Sequence, residues 1–283
     1  MEYKEKCGRP WPGHVVFLID QSGSMSEEID GTTRLNLAQE CVTNSIKDIV
    51  FGCLDNGKFH DRCYITIIGY GRTSDSVELL RKGWASEWED DVIINRHNGI
   101  PLFTLECTDG WTPMAGAFEM AKLQLTEWHQ LIANEIAEPH LRPEDSPTGV
   151  PITAMGLPVV INITDGCKDD FNQVEGYIDE VKRSAMDLMN TYNDDGGTVY
   201  LFNAHIGDGK ELRFPKETNV LAGNPETEFL FEISSPLSAF LARSASGVFL
   251  SDGLIEIETG SKGLVVNSSK TTVTRFVTWG SNV

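Results

Sequence analysis

The most informative part of this 283-residue chain is Val15-Val16-Phe17-Leu18-Ile19-Asp20-Gln21-Ser22-Gly23-Ser24. Its first five residues are apolar, which predicts a buried strand. Asp20, Ser22 and Ser24 place one carboxylate and two hydroxyls directly after that strand, and Gly23 lets the backbone turn so that they converge. Open α/β sheets bind ligands at the carboxyl ends of their strands. We therefore predict a ligand site at this turn.

Two further segments place oxygen donors at the same kind of junction. Thr112 lies between an extended stretch and a helical pattern, and Asp165 follows the buried-strand pattern of residues 159–164. Asp and Ser are also ordinary turn and helix-cap residues, so the first segment alone is weak evidence. Mg²⁺ takes about six oxygen ligands at roughly 2.0–2.1 Å and keeps several waters. Three loops with hydroxyls and carboxylates therefore predict a site for a hard divalent cation.

These residues resemble the von Willebrand factor A (VWA) family, whose metal-ion-dependent adhesion site reads Asp-x-Ser-x-Ser, then a distant Thr, then a distant Asp. The resemblance covers roughly residues 14–245. It implies that hydroxyls touch the metal directly, that carboxylates hold it mainly through water, and that one position stays open for an Asp or Glu of a partner protein. The implied cation is Mg²⁺, with Mn²⁺ and Ca²⁺ as the other candidates. The implied metal site consists of Asp20, Ser22, Ser24, Thr112 and Asp165.

Neutral hydroxyl ligands make chemical sense in such a site. They leave the charge of the ion largely uncompensated, so an incoming carboxylate gains more than it would at a site already filled with acids. The resemblance also implies a division of the chain into an N-terminal extension (1–13), a VWA domain (14–245) and a C-terminal extension packed on the same domain (246–283).

Hydrophobic periodicity predicts alternating strands and helices. Strands are predicted at 14–19, 64–70, 76–83, 157–163 and 198–205. Helices are predicted at 33–51, 113–137 and 174–192. The alternation predicts an α/β fold: a doubly wound, mostly parallel central sheet with helices on both faces and the 64–83 pair as an antiparallel edge.

The tail from residue 206 is broken by Gly, Pro and Asn. Residues 228–233 and 248–250 are predicted to be extended, and 236–245 and 271–279 helical. The segments 263–267 and 275–276 are similar to tails of bacterial TerY-like VWA proteins, which are associated with tellurium resistance. This resemblance implies an intracellular adaptor of a stress-response or phage-defence system, with an ATPase, kinase or phosphatase of the same locus as partner.

Residues 139–156 are rich in Pro and Gly and too long for an ordinary connection. We predict an exposed surface insertion, either functional or passive.

The net charge of −19, from 42 acidic and 23 basic residues, argues against nucleic-acid binding. Glu27, Glu28 and Asp30 follow the first loop, and Asp169 and Asp170 follow Asp165. Two interpretations stay open. These acids select a partner that carries one acidic residue among basic ones, or they form a solvated acidic surface.

Six cysteines show no Cys-x-x-Cys spacing, which argues against structural zinc. Cys41 and Cys63 fall in apolar patterns and are predicted to be core residues. The N-terminus has no apolar run typical of a signal peptide, and no segment has about 18 consecutive apolar residues. We expect a reduced, cytoplasmic protein that does not contact a membrane.

Enzyme functions find less support in the sequence. The phosphatases that resemble haloacid dehalogenases need a second Asp two residues after the first, where this chain has Ser22. A Gly-x-Ser-x-Gly elbow and a phosphate-binding P-loop are both absent. His205 is the histidine nearest the predicted site, and a structural role is the more favoured one. The expectation is a non-catalytic module without a small-molecule substrate; the alternative is a metal-dependent hydrolase acting on phosphoesters or nucleotides.

Overall fold

A computed structural model of the chain describes residues 1–108, 110–140, 145–166, 176–221, 224–250 and 256–282. Its central feature in those ranges is a seven-stranded sheet with the order β6-β7-β5-β4-β1-β2-β3. The strands are β1 (Gly13–Asp20), β2 (Cys63–Tyr70), β3 (Val77–Trp84), β4 (Val159–Thr164), β5 (Tyr200–His205), β6 (Leu212–Arg213) and β7 (Leu264–Val266).

The sheet is parallel except at its two edges. The pairs β1/β2, β1/β4, β4/β5 and β5/β7 are parallel, whereas β2/β3 and β6/β7 are antiparallel. The predicted mostly parallel sheet and its antiparallel hairpin at 64–83 are therefore present. The second antiparallel edge was not predicted.

Seven α-helices lie in the described residues. They are α1 (Arg34–Gly52), α2 (Glu89–Asn98), α3 (Met114–Ala137), α4 (Tyr177–Met189), α5 (Pro225–Ile233), α6 (Ala239–Phe249) and α7 (Lys270–Ser281). α1 begins after Thr33, whose hydroxyl accepts a hydrogen bond from Asn36 N and so caps the helix. The predicted helices at 33–51 and 113–137 correspond to α1 and α3. α4 lies within the prediction at 174–192, whose first two residues are outside the described ranges.

The core lies on both faces of the sheet. Val15, Phe17 and Ile19 of β1 join one cluster with residues of α1, α6 and α7. Val16 and Leu18 join the other cluster with residues of α3, α4 and α5. Because successive strand residues point to opposite faces, the continuous apolar run in β1 reflects burial on both sides. Cys41 and Cys63 are buried, as predicted for core residues.

A chain of buried polar groups crosses the α3 face of the sheet. Tyr70 Oη donates to Asn162 Oδ1 at 2.7 Å, Asn162 Nδ2 to Asn203 Oδ1 at 2.9 Å, and Asn203 Nδ2 to Ser234 Oγ at 2.8 Å. All four residues are at most 1% exposed. Each amide meets a partner, which offsets the cost of burying it.

The tail differs from the prediction. Residues 228–233 belong to α5 and residues 248–249 to the end of α6, so the extended prediction for both segments was wrong. Asn224 caps α5 and Pro225 occupies its first turn, which is a helix-start signal stronger than the apolar run that follows. The helices predicted at 236–245 and 271–279 correspond to α6 and α7.

The segment 139–156 is only partly an exposed insertion, and residues 141–144 lie outside the described ranges. Thr148, Ile152, Ala154 and Met155 are at most 3% exposed. Residues 155–156 pair in parallel with residues 3–4 of the N-terminus. The prediction was wrong for residues 148–156, because most of them are packed in the interior instead of facing solvent.

Among the described helices, none is both long and apolar enough to span a bilayer.

Candidate functional site

The predicted site residues lie where the sheet topology reverses direction. From β1 the chain moves to β2 on one side, and after β3 it crosses to β4 on the other side of β1. The carboxyl ends of β1 and β4 are thus adjacent and their following loops diverge, which is the geometry that forms ligand crevices in open α/β sheets. Asp20 ends β1, and Asp165 follows β4.

Asp20 is fully buried and held at both oxygens. Its Oδ1 accepts from Ser22 N at 2.9 Å, and its Oδ2 accepts from Thr164 Oγ1 at 2.7 Å. The first bond closes the turn after β1, and the second joins the ends of β1 and β4. The carboxylate is therefore fixed before any ligand binds.

A hydrogen-bonded chain connects Ser22, Ser24 and Asp165. The Oγ atoms of Ser22 and Ser24 are 3.3 Å apart, and Ser24 Oγ donates to Asp165 Oδ1 at 2.9 Å. Ser22 is 3% exposed, whereas Ser24 is exposed, so the chain runs from the interior to the surface. Four of the five predicted residues, Asp20 included, are brought together through these bonds.

The Thr112 loop packs directly against this turn. Gly23 N donates to Gly110 O at 3.3 Å. Gly71 lies between the loops with a φ of +83°, and a Cβ there would approach Trp111 O to 2.5 Å and Ser22 N to 3.2 Å. Only glycine fits so close an approach at positive φ. The fifth predicted residue, Thr112, follows Trp111 in this loop and is 5% exposed, so its loop lies beside the other four residues.

Three residues that the motif does not contain hold these loops. Gln21 Oε1 accepts from Glu106 N at 3.0 Å, and Cys107 Sγ donates to Ser22 O at 2.6 Å. Tyr177 Oη donates to Thr112 O at 2.6 Å. Sequence patterns gave no signal for them, because each acts through the backbone of a residue distant in the chain.

Arg34 contacts the predicted site residues, and the sequence reasoning did not include it. Its Nη1 donates to Asp165 Oδ2 at 2.7 Å, and its Nη2 lies 2.8 Å from Glu27 and 3.9 Å from Asp208. Arg34 is the first residue of α1. A cation there opposes the helix dipole, which favours negative charge at the N-terminus. That mismatch was the signal available in the sequence.

Burial disfavours the ionised form of both carboxyl groups. Burial, reinforced by the nearby charge of Asp165, raises the pKa of the Asp20 carboxyl to about 7. Burial also raises the pKa of Asp165, although hydrogen bonds from Arg34 and Ser24 act against it. Two buried acids side by side are costly as a pair of anions, and a cation between them removes that cost.

His205 ends β5 close to the same edge and is 4% exposed. Its Nδ1 accepts from Asn267 N at 3.3 Å. Burial, together with the charge of Arg34, lowers the pKa of its ring to about 4. The imidazole is therefore neutral and enclosed at neutral pH.

The rim of the site is acidic. Glu27 and Asp208 flank Arg34 with side chains 61% and 89% exposed, and Glu28 and Asp30 are exposed on the same loop as Glu27. Asp169 and Asp170 lie outside the described residues. Solvent screens these exposed charges far more than the buried pair.

The donor set fits a hard divalent cation. The cluster offers only oxygens, from two buried carboxylates and from hydroxyls, and the carboxylates carry charge that a single Arg only partly compensates. Within the described ranges, no group of three or more His, Cys, Asp or Glu residues is arranged to hold a metal. The cluster at this edge differs from such groups because hydroxyls supply part of its donors.

Comparisons with known proteins give distant structural likenesses. No protein-family model matches the chain, and no curated protein does. The chain is similar to the pilus adhesin SpaC of Lactobacillus rhamnosus GG, at 12% identity and a TM-score of 0.47 over 94% of this chain and 30% of that one. It is also similar to the vWF domain of the type V pili tip protein Mfa5 of Porphyromonas gingivalis, at 15% identity and a TM-score of 0.30 over 55% of this chain and 38% of that one.

A third likeness is to the PilB minor pilin of Streptococcus sanguinis, at 11% identity and a TM-score of 0.39 over 68% of this chain and 57% of that one. The chain spans between 20% and 60% of the length of the solved chains it resembles. With TM-scores below 0.5, these likenesses assign neither a family nor a function.

Proposed function

We propose that the chain is a metal-dependent protein-binding module of VWA type, which captures an acidic side chain of a partner protein at the edge of β1 and β4. The observation that carries the proposal is the hydrogen-bonded cluster of Asp20, Ser22, Ser24 and Asp165, in which two buried carboxylates share one pocket with two hydroxyls. The packing of the Thr112 loop against the same turn supports it.

Each residue has a defined part in the proposal. Ser22, Ser24 and Thr112 hold a divalent cation, Mg²⁺ first among the candidates, through their hydroxyls. Asp20 and Asp165 supply the compensating charge, and their positions are fixed by Thr164 and Arg34. The cation would supply a local positive charge and a free coordination position for a carboxylate.

No bond is broken in this function, so the chain acts as an adaptor and not as an enzyme. His205 is enclosed, and the lowered pKa of its ring makes it a weak base, which favours this assignment over hydrolysis. The cellular setting remains a prediction from the sequence: a cytoplasmic adaptor of a bacterial stress-response, tellurium-resistance or antiviral defence system, bound to an ATPase, kinase or phosphatase.

The proposal is tested by cation binding and partner capture in parallel. Mg²⁺ titration by calorimetry and capture from native lysate are compared for wild type, Ser22→Ala and Asp20→Ala, with the exposed Asp187→Ala as control. We expect both site variants to lose Mg²⁺ binding and any capture that a chelator abolishes in the wild type, and the control to keep both. Capture that survives chelator and both variants would place the interface elsewhere. Turnover of phosphoesters by wild type alone would favour the hydrolase instead.

A further inference from the structure

Arg34 is surrounded by acids, only one of which belongs to the proposed metal site. Nη1 contacts Asp165, while Nη2 contacts Glu27 at 2.8 Å and lies 3.9 Å from Asp208. The side chain is 12% exposed, and that of Asp165 only 2%. The guanidinium therefore sits between the interior of the site and its solvent-exposed rim.

This position changes the charge of the site. With a cation bound and both carboxyl groups ionised, Asp20 and Asp165 would contribute two buried negative charges. Arg34 Nη1 lies 2.7 Å from Asp165 Oδ2 and would cancel one of them, at a distance where solvent screens little. Glu27 and Asp208 reduce the charge of Arg34 only weakly, because they are largely exposed. A divalent cation between the carboxylates would thus be undercompensated until one further anion arrives.

We propose that Arg34 makes the site bind its cation and a partner carboxylate cooperatively, by neutralising Asp165 and so weakening the hold on the cation alone. The inference rests on the proposed function and deepens it. The partner's carboxylate replaces the negative charge that Arg34 has cancelled, so the two ligands strengthen one another by the same factor.

A purely structural role for Arg34 predicts a different outcome. An ion pair that merely ties α1 to the loop after β4 would, when lost, loosen Asp165 and weaken cation binding. Cancellation of charge predicts the opposite sign, because the freed Asp165 holds the cation more strongly. The sign of the change therefore separates the two roles.

The experiment measures Mn²⁺ affinity from the electron paramagnetic resonance signal of the free ion, in sodium chloride and in sodium acetate at equal ionic strength. Wild type should bind Mn²⁺ more tightly in acetate. Arg34→Gln should bind Mn²⁺ about tenfold more tightly than wild type in chloride, the size expected from removing a unit charge a few ångströms away at a partly solvated site. The increase in Mn²⁺ affinity from chloride to acetate should be smaller in Arg34→Gln than in wild type. Arg34→Lys should behave like wild type.

A second variant keeps the test open should Arg34→Gln fold poorly. Glu27→Gln removes an exposed acid that pairs with Arg34. It should weaken Mn²⁺ binding in chloride, by less than the tenfold change expected for Arg34→Gln because solvent screens Glu27, and it should enlarge the gain in affinity from acetate. Arg81→Gln, which breaks an ion pair with Asp91 away from the site, should change neither.

Three results would overturn the inference. Folded Arg34→Gln binding Mn²⁺ with equal or lower affinity than wild type would assign Arg34 a structural role. A gain from acetate that is the same in all variants would remove the cooperativity. Absence of Mn²⁺ binding in wild type and Asp20→Ala alike would refute the proposed function itself, and with it this inference.

Discussion

Replacing Asp20 by Asn should stabilise the metal-free protein at neutral and higher pH. Burial and the charge of Asp165 raise the pKa of Asp20 from 3.8 to about 7. Once the carboxyl is ionised, that rise corresponds to about 4 kcal/mol of lost stability. Asn is nearly the same shape and carries no charge. Its Oδ1 can still accept from Ser22 N, and Thr164 Oγ1 can accept from its Nδ2 while donating to Gly166 O, which it already contacts at 3.1 Å.

The direction of the pH dependence follows from linkage. The pKa of Asp20 is higher in the folded than in the unfolded state, so its contribution is fully favourable below pH 3.8 and is lost as pH rises towards 7. In chelator, Asp20→Asn should therefore exceed wild type by up to about 4 kcal/mol at pH 8, and by less than about 2 kcal/mol at pH 5.

Urea unfolding monitored by circular dichroism measures this difference, with equal m-values as the condition for comparison. Mg²⁺ should stabilise wild type and leave Asp20→Asn unchanged. Asp61 is a buried carboxylate far from the site and accepts hydrogen bonds from Ser86 N and Ser86 Oγ. Asp61→Asn should therefore respond to Mg²⁺ as wild type does. If Asp20→Asn is no more stable than wild type at pH 8 in chelator, a buried, uncompensated charge at Asp20 does not dominate the stability of this site.

Three further predictions concern other parts of the molecule. Burial lowers the pKa of His14 from 6.5 to about 3, so the neutral ring contributes stability that is present above pH 6.5 and is lost as pH falls towards 3. His14→Gln should therefore make the free energy of unfolding in urea less dependent on pH across that range. Gly71→Ala should lower the free energy of unfolding by at least about 2 kcal/mol and Gly57→Ala by only about 1 kcal/mol, as measured by thermal and urea unfolding. Both glycines have positive φ, but a Cβ would meet a backbone carbonyl only at Gly71. Tyr177→Phe removes the hydrogen bond to Thr112 O, which should cost about 1 kcal/mol in the same assay and lower any Mg²⁺-dependent capture; unchanged capture would show that the Thr112 loop is held by other contacts.

The sheet was predictable from the sequence because its parallel strands are buried on both faces. A continuous apolar run such as that of β1, bounded by turn residues, has few alternative structures. The short strand β7 has three residues, and α2 buries only Val92. Neither offers enough periodicity to be recognised, since both are defined by the neighbours they pair with or cover.

The proximity of the proposed site residues could be predicted only where they are close in the sequence or end a recognisable element. Asp20, Ser22 and Ser24 share one turn, and Thr112 and Asp165 stand at recognisable strand and helix boundaries. Arg34 was missed because its role depends on a contact with Asp165, 131 residues away. Only the tertiary fold shows which of many charged residues meets a buried acid.

The buried chain from Tyr70 to Ser234 restricts how this sequence can change. Asn162 and Asn203 satisfy one another across β4 and β5, so replacing Asn203 alone by an apolar residue would leave the amide of Asn162 without its acceptor. Replacing both by apolar residues would also remove Asn162 Oδ1, the acceptor of the bond from the buried Tyr70 Oη. The double change therefore costs least when Tyr70 becomes Phe at the same time. The three positions are expected to vary together across related sequences, although none of them is among the proposed ligands.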